Sequence, residues 1–208
     1  MQAIKHDDYL EMRDKWRRID DVLEGEDAVK QAGTRYLPKL PDQENADYAA
    51  YKQRAMFYSA TSRTAESYMG LIFRKPVRVD LPGELENIED RVGIENESID
   101  ELVKEVVRGV INKGRCAILV DYPAVSADRE LTRAEAQDIG MFPYAAFYET
   151  EDIVNWRTQQ KNGKKVLTDA LLEEDYTSDT NMGFPTEEKT QYRRLTINDN
   201  GEYIQQIM

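Results

Sequence analysis

The amino-acid sequence predicts an α+β chain with N-terminal helices, a central helix-strand unit and a C-terminal antiparallel β-meander. Three observations carry that reading. Apolar residues recur at helical spacing as far as Ile72. A capping box in the middle of the chain precedes an apolar stripe and then a short, continuous apolar run of strand length. Beyond Tyr144, short apolar runs are separated by Asn-Gly-type turns. We therefore divide the chain into a helical region, residues 1–80, and an α+β region, residues 81–208.

In the first region Tyr9, Met12, Trp16, Ile19 and Leu23 follow the i, i+3, i+4, i+7 rule, and charged residues fill the opposite face. Gly25 is positioned to end this helix, since glycine adopts a left-handed conformation without steric penalty. A helical turn around Ala28–Gln31 stops at Gly33, and Tyr36–Pro41 runs extended because proline bars the α region to the residue before it. From Asn45 helical spacing returns. Tyr48, Tyr51, Ala55 and Tyr58 are expected to share one face, and Tyr68, Leu71 and Ile72 mark the next stretch. The hydroxyls of Ser59–Ser62 favour two helices with a break there over one continuous helix. Pro76 is expected to end the second, and Val77–Val79 alternates like a short strand.

The second region opens on an acidic, loop-like stretch from Pro82 to Glu97. Ser98 and Glu101 then form a capping box ahead of the stripe Ile99, Leu102, Val103, Val106, Val110 and Ile111, which ends near Gly114. Cys116–Val120 is an unbroken apolar run, the pattern of a strand covered on both faces. Thr132–Glu135 is a second capping box opening a short helix that Gly140 closes. Tyr144–Tyr148 and Ile153–Gln159 read as strands, with Asn162-Gly163 turning into a strand from Val166 onward. Gln191–Ile197 and Glu202–Ile207 form a hairpin about Asn198–Gly201, and the polar stretch Thr177–Lys189 reads as a loop. The last strand runs to Met208 without a polar cap, which points to a fragment of a longer chain.

At 208 residues and 24.1 kDa, a compact chain buries ~70% of its unfolded surface, enough for a real core. No apolar stretch reaches the ~18 residues that a membrane span needs, and the N-terminus lacks the apolar core of a secretory signal. Cys116 is the only cysteine, so an internal disulfide and a cysteine-cluster zinc site are excluded and a reducing cytosol is the expected setting. The net charge of −12 is unevenly placed: residues 1–80 are neutral, residues 81–151 carry −9 and residues 152–208 carry −3. Such a middle segment repels a phosphate backbone instead of binding it. It serves either solubility or a surface past which DNA moves without sticking.

Candidate chemistry is sparse. His6, the lone histidine, reads as a solvated surface residue, which leaves no histidine-based triad. Gly109 and Gly114 lie at a helix end and make no phosphate loop. Asp121, Glu149 and Glu151, with Asp152 adjacent, follow strands and offer carboxylates to a magnesium ion of the kind that nucleases use. Glu149-Thr150-Glu151 lacks the lysine such a site places two residues after its acid, and turn chemistry favours acids at strand ends in any case. Cys116 reads as a small apolar strand residue and not as a nucleophile. The sequence thus assigns no catalytic, cofactor or metal residue. Tyr48, Tyr51 and Tyr58 offer either an interaction surface or ordinary helix packing. Arg54, Arg63, Arg74 and Lys75 read as solvated helix faces more readily than as nucleic-acid contacts.

Several segments occur together in a recognisable order. They are Trp16–Asp21 with Gly25, Tyr36-Leu37-Pro38, Tyr48–Thr64, Gly70–Pro76, Gly114–Pro123, and Pro143-Tyr144 with Glu151–Arg157. This series, spanning most of residues 9–160, resembles the N-terminal part of tailed-bacteriophage portal proteins, the head-tail connectors at the capsid vertex. The resemblance implies a structural virion component and no enzyme or cofactor. It implies a ring, usually of twelve subunits, assembled in the bacterial cytoplasm and seated at the capsid vertex. A terminase motor drives double-stranded DNA through that ring without sequence-specific binding, and capsid, head-completion and tail proteins dock on it. Family members are about twice as long or more, so this chain would correspond to the outer α+β wing portion, with the stem, clip and any crown largely or wholly missing. The alternatives in other classes are a metal-dependent nuclease using Asp121, Glu149 and Glu151, and a capsid adaptor that forms no ring.

Overall fold

The computed structural model describes residues 4–83, 88–94, 96–123, 141–161, 163–179, 185–198 and 200–208. Helix α1 (Asp7–Glu24) starts where His6 leaves the extended conformation and its Nδ1 accepts the amide of Asp8. Asp7 and Asp8 add negative charge at the positive end of the helix dipole. The helix stops at Gly25, whose φ of 108° few other residues adopt, and α2 (Glu26–Gln31) sets off from there in a new direction. A 3₁₀ turn (Gly33–Arg35) follows, and the Gly33 carbonyl accepts the amides of Tyr36 and Leu37 at 3.1 and 2.8 Å. Tyr36 is therefore turned and not extended, and the extended stretch begins after it. Asp21 on α1 fixes this turn by accepting from Arg35 at 2.8 Å and from the Tyr36 hydroxyl at 2.6 Å.

Two helices follow, α3 (Asn45–Arg54) and α4 (Ala60–Ile72), with the break at residues 55–59. The break comes earlier than the capping hydroxyls suggested, and Ser59 makes no side-chain cap. What holds the break is α2: Glu26 accepts the Phe57 amide at 3.3 Å, and Lys30 donates to the Gln53 carbonyl at 3.1 Å. Ala55 and Tyr58 consequently lie outside α3 and share no helical face with Tyr48 and Tyr51. Helix α4 ends four residues before Pro76, and Val77–Val79 is not a strand. Among the described residues it pairs with no strand, and two valines alone are not enough to make one.

Helix α5 (Ile99–Lys113) has the capping box in full: Ser98 accepts the Glu101 amide and the Glu101 side chain accepts the Ser98 amide. Gly114 closes it in the left-handed conformation at φ 84°. Its two faces have different partners. Gly109 admits Phe147, whose ring would lie 3.3 Å from a Cβ there, and the Cys116 thiol donates to the Val106 carbonyl. On the other side Arg108 reaches Glu66 of α4, and the Lys104 ammonium stands over the Phe73 ring. Helix α5 thus separates α4 from the strands.

The strands form two antiparallel sheets. β1 (Ala117–Asp121) pairs with β2 (Tyr144–Tyr148), and β3 (Ile153–Lys161), β4 (Lys164–Asp179), β5 (Pro185–Ile197) and β6 (Tyr203–Ile207) form a four-stranded meander in that order. The fold is α+β. Gly163 (φ 76°) and Gly201 (φ 83°) supply the turns that the sequence placed there. Two expectations are corrected. β4 and β5 run on to Asp179 and from Pro185, through most of the stretch read as a loop, because each satisfies the other's backbone from Asp169↔Thr196 to Asp179↔Pro185. β1 is covered on one face only: Ala117 and Leu119 point inward, whereas Val120 is 71% exposed. The Thr132–Glu135 capping box lies outside the described residues.

The meander is the middle layer, because neighbouring residues on it serve opposite cores. Val154, Trp156, Leu171 and Tyr192 meet Tyr9, Met12, Trp16 and Ile19 of α1 on one face. Ile153, Leu172 and Leu195 meet Ala117, Leu119, Ala146 and Tyr148 of the hairpin on the other. Strand alternation assigns the two faces. Helix α1, from residues 1–80, therefore shares its core with strands from residues 81–208.

Candidate functional site

The carboxylates proposed from sequence do not converge. Asp121 pairs with Tyr144 at one end of the hairpin, whereas Glu149 and Glu151 follow Tyr148 at the other end. Four residue steps at ~3.4 Å put the two ends about 14 Å apart. Asp121 accepts the Tyr122 amide at 2.8 Å and lies 3.9 Å from Arg193. Glu149 and Glu151 instead surround Lys113, at 3.3 and 2.8 Å, together with Asp20 of α1 at 2.8 Å. Burial disfavours the Lys113 ammonium, but the hydrogen bonds it donates to Asp20 and Glu151 outweigh it and push its pKa well up. Here one lysine ties α1, α5 and the β2–β3 turn together. Asp152, inside the same turn, is pushed up to about 6 by burial and by Glu149, Glu151 and Glu173, against the amide of Glu149 that it accepts. Among the described residues no group of three or more metal-ligating side chains is placed to hold an ion.

His6 is not the free surface residue expected. Its ring stacks on Trp156 at 4.0 Å, its amide donates to the Val154 carbonyl, and its Nδ1 caps α1. Cys116 is half-buried just before β1, and burial raises its thiol pKa, which suppresses the nucleophilic thiolate. Arg115 beside it is the residue that sequence reasoning missed. Its guanidinium lies 4.8 Å from the Trp16 ring and 4.4 Å from the Trp156 ring, and it donates to the carbonyls of Thr150 and Ile153. Three segments quoted for the resemblance thus meet at one cation between two indoles. No spacing within any one of them signals this, since the partners lie far apart in the chain.

A groove of about 780 Å³ opens on the α1 face of the meander, between Ile4, Trp156, Asp169, Tyr192, Arg194 and Met208. Its polar groups are already engaged. Asp169 pairs with Arg157 at 2.7 Å and Arg194 at 3.1 Å and accepts the Thr196 hydroxyl at 3.1 Å. Burial opposes ionisation of Asp169, but these bonds outweigh it and hold its pKa at about 2. Trp156 already carries His6 and Arg115 on its ring. A ligand would have to break existing pairs to find partners there.

The helical face of α3 and α4 is the opposite case. Met69 turns inward to the core, and Tyr68, Leu71 and Ile72 turn out, so the stretch read as an apolar helix face presents much of that face to solvent. Met56 is 94% exposed, Tyr58 71% and Leu71 68%. Tyr48 donates to the Leu37 carbonyl at 2.9 Å and so stays with its own fold, with Tyr51 at its side. Arg63 stands over the Tyr58 ring at 5.1 Å, and a shallow pocket of about 260 Å³ lies between Tyr58, Thr64, Tyr68 and Leu71. Arg54, Arg74 and Lys75 are also exposed, as the sequence suggested. An exposed apolar surface in a basic segment of the chain has the make-up of a protein contact. This face is the candidate site. No protein-family model and no curated protein matches this chain.

Proposed function

We propose that this chain is a structural subunit of a tailed-phage head-tail connector, corresponding to the wing portion of a portal protein, and that it acts by binding and not by catalysis. The carrying observation is the contrast between its polar and apolar groups. The conspicuous polar clusters, around Lys113, Asp169 and Arg115, are paired internally, while the large apolar side chains of α4 and the adjoining break are left in water. That arrangement gives a reactant little to bind and gives a protein partner a surface to cover. The resemblance supplies the identity of the assembly: sister copies first, then the packaging motor, capsid and head-completion proteins, at the capsid vertex and in the host cytoplasm during assembly. The acidic middle of the chain supports a passage that DNA traverses without sticking.

Sedimentation velocity and negative-stain microscopy of the purified chain from ~1 to ~100 µM test the reading. Concentration-dependent growth into closed, ring-like particles is the expected result. A single monomeric species across the whole range overturns it.

A further inference from the structure

We propose that the outward face of α4 is the basic half of a head-to-tail contact between two copies of this chain, and that its mate is the acidic loop carrying Glu89, Asp90 and Ile94. This deepens the subunit reading above and rests on it.

The argument starts from charge. Residues 51–78 hold six basic side chains and one acidic, a net of +5. Because the whole chain carries −12, everything outside that segment carries −17. Two copies therefore repel at long range, and they attract only where the basic island of one meets the acid of the other. The island coincides with the exposed apolar side chains Tyr58, Tyr68 and Leu71 of α4 and the break before it, and Arg63, Arg74 and Lys75 of the same segment are exposed with them. Docking that surface thus combines charge attraction with removal of apolar area from water.

The same charge decides the symmetry. A two-fold contact of α4 against α4 would set Arg63, Arg74 and Lys75 against their own copies, which like-charge repulsion disfavours. The contact therefore joins two different patches, and joined head to tail and repeated it builds a ring or a filament. The mate must be acidic, exposed, bear an apolar group and be left uncovered by its own α4. The loop ahead of α5 fits. Glu89 and Asp90 are exposed, and Ile94 is 60% exposed. Ile88 is buried beneath them, and the loop is fixed to the hairpin by the Gly93↔Ala145 bridge and by the Ala145 amide, which donates to the Val92 carbonyl at 2.7 Å. It is therefore held against the hairpin, whereas α4 packs on α5 through Glu66–Arg108 and Phe73–Lys104. Both patches are exposed within one copy, so neither covers the other there and each is left for a second copy.

A charge swap on the full chain tests the proposal by sedimentation velocity. Arg63→Glu with Lys75→Glu reverses the basic face, and Glu89→Lys with Asp90→Lys reverses the loop. All four side chains are exposed, and thermal melts check that both variants fold. Each variant alone should associate about tenfold more weakly than wild type or worse, and an equimolar mixture of the two should recover a complex, because the reversed faces complement each other. If wild type assembles and both variants assemble equally well, the contact lies elsewhere and the subunit reading survives alone. If both variants weaken but the mixture recovers nothing, the two patches are not each other's mates. If wild type is monomeric, both readings fall. Failure to self-associate combined with binding of duplex DNA or anionic vesicles, lost in the Arg63→Glu/Lys75→Glu variant, would make the face a polyanion site and overturn the proposal.

Discussion

In the body built from α1, the hairpin and the meander, Trp16 and Leu172 are each 3% exposed, whereas in the α3–α4 limb Met56 and Leu71 lie largely in water. The two parts have similar raw materials, including tyrosines, arginines and long aliphatic side chains. The body closes them on one another: Arg115 between two tryptophans, Lys113 among three carboxylates, Asp169 between two arginines. The limb closes few of them. The difference separates residues that hold the fold from residues free to hold something else, and it is testable because substitutions in the two parts should disturb different observables.

The largest effect is expected in the body. Trp16→Ala removes a buried indole packed edge-on against Tyr9 at 5.6 Å and covered by Arg115. The loss should be about 3–5 kcal/mol in urea unfolding, the range for emptying an aromatic site. A loss below ~1 kcal/mol would mean that α1 is not part of the same cooperative core as the meander. Next comes Arg115→Met, which keeps the apolar stem but leaves the Thr150 and Ile153 carbonyls without their guanidinium donor. Unpaired buried acceptors and a lost cation–π pair should cost about 2–3 kcal/mol. A neutral result would show that those carbonyls find water.

How far each part was legible in the sequence follows the same division. Helix α1, the capping box of α5 and the two glycine turns were readable because each is specified within a few residues: a 3.6-residue stripe, Ser98 with Glu101, and glycines that supply positive φ at 163 and 201. The misread elements depend on neighbours distant in sequence. Val77–Val79 has strand composition and pairs with no strand among the described residues. Thr177–Asp179 and Pro185–Lys189 have loop composition and are paired with each other. The exposed face of α4 shows the same limit, since periodicity reveals that Tyr68, Leu71 and Ile72 are apolar and spaced for a helix but not whether anything covers them. The carboxylate trio failed for the same reason. Position after a strand was readable, but which end of the hairpin each acid occupies was not, because that depends on the register Ala117↔Tyr148. His6, stacked across the chain on Trp156, left no local trace at all.

A pH titration sharpens the comparison within the body. The pKa of Asp152 rises from 3.8 to about 6 on folding, so the folded state holds its proton more tightly than the unfolded chain does. Its contribution is therefore fully present below the unfolded value and is lost as pH rises through the folded one, between about pH 4 and 6. Asp152→Asn keeps an oxygen for the Glu149 amide and removes the ionisation. The variant should match wild type below pH ~4 and be more stable by about 1 kcal/mol at pH 7, a figure reduced from the full shift because the group is partly solvated. Urea midpoints across that range decide the matter. A variant less stable than wild type at pH 7 would mean that the carboxylate is satisfied by partners that burial does not reveal.

The smallest effect on stability is expected in the limb, and it is the most discriminating. Leu71 is exposed on the outward face of α4, beside the shallow pocket that Tyr58 and Tyr68 help to line. Leu71→Ser removes no packed contact from the core, and the helix-propensity difference between the residues is a few tenths of a kcal/mol, so unfolding should change by about 0.5 kcal/mol or less. The same substitution deletes an apolar anchor from the surface assigned to a partner, and self-association should weaken measurably while the melting curve stays in place. Unchanged stability with lost association is the signature of a side chain kept outside for another molecule. Lost stability would move Leu71 into the fold and erase the distinction between limb and body. If neither changes, the distinction between limb and body stands, but α4 is an exposed helix without a partner on that side.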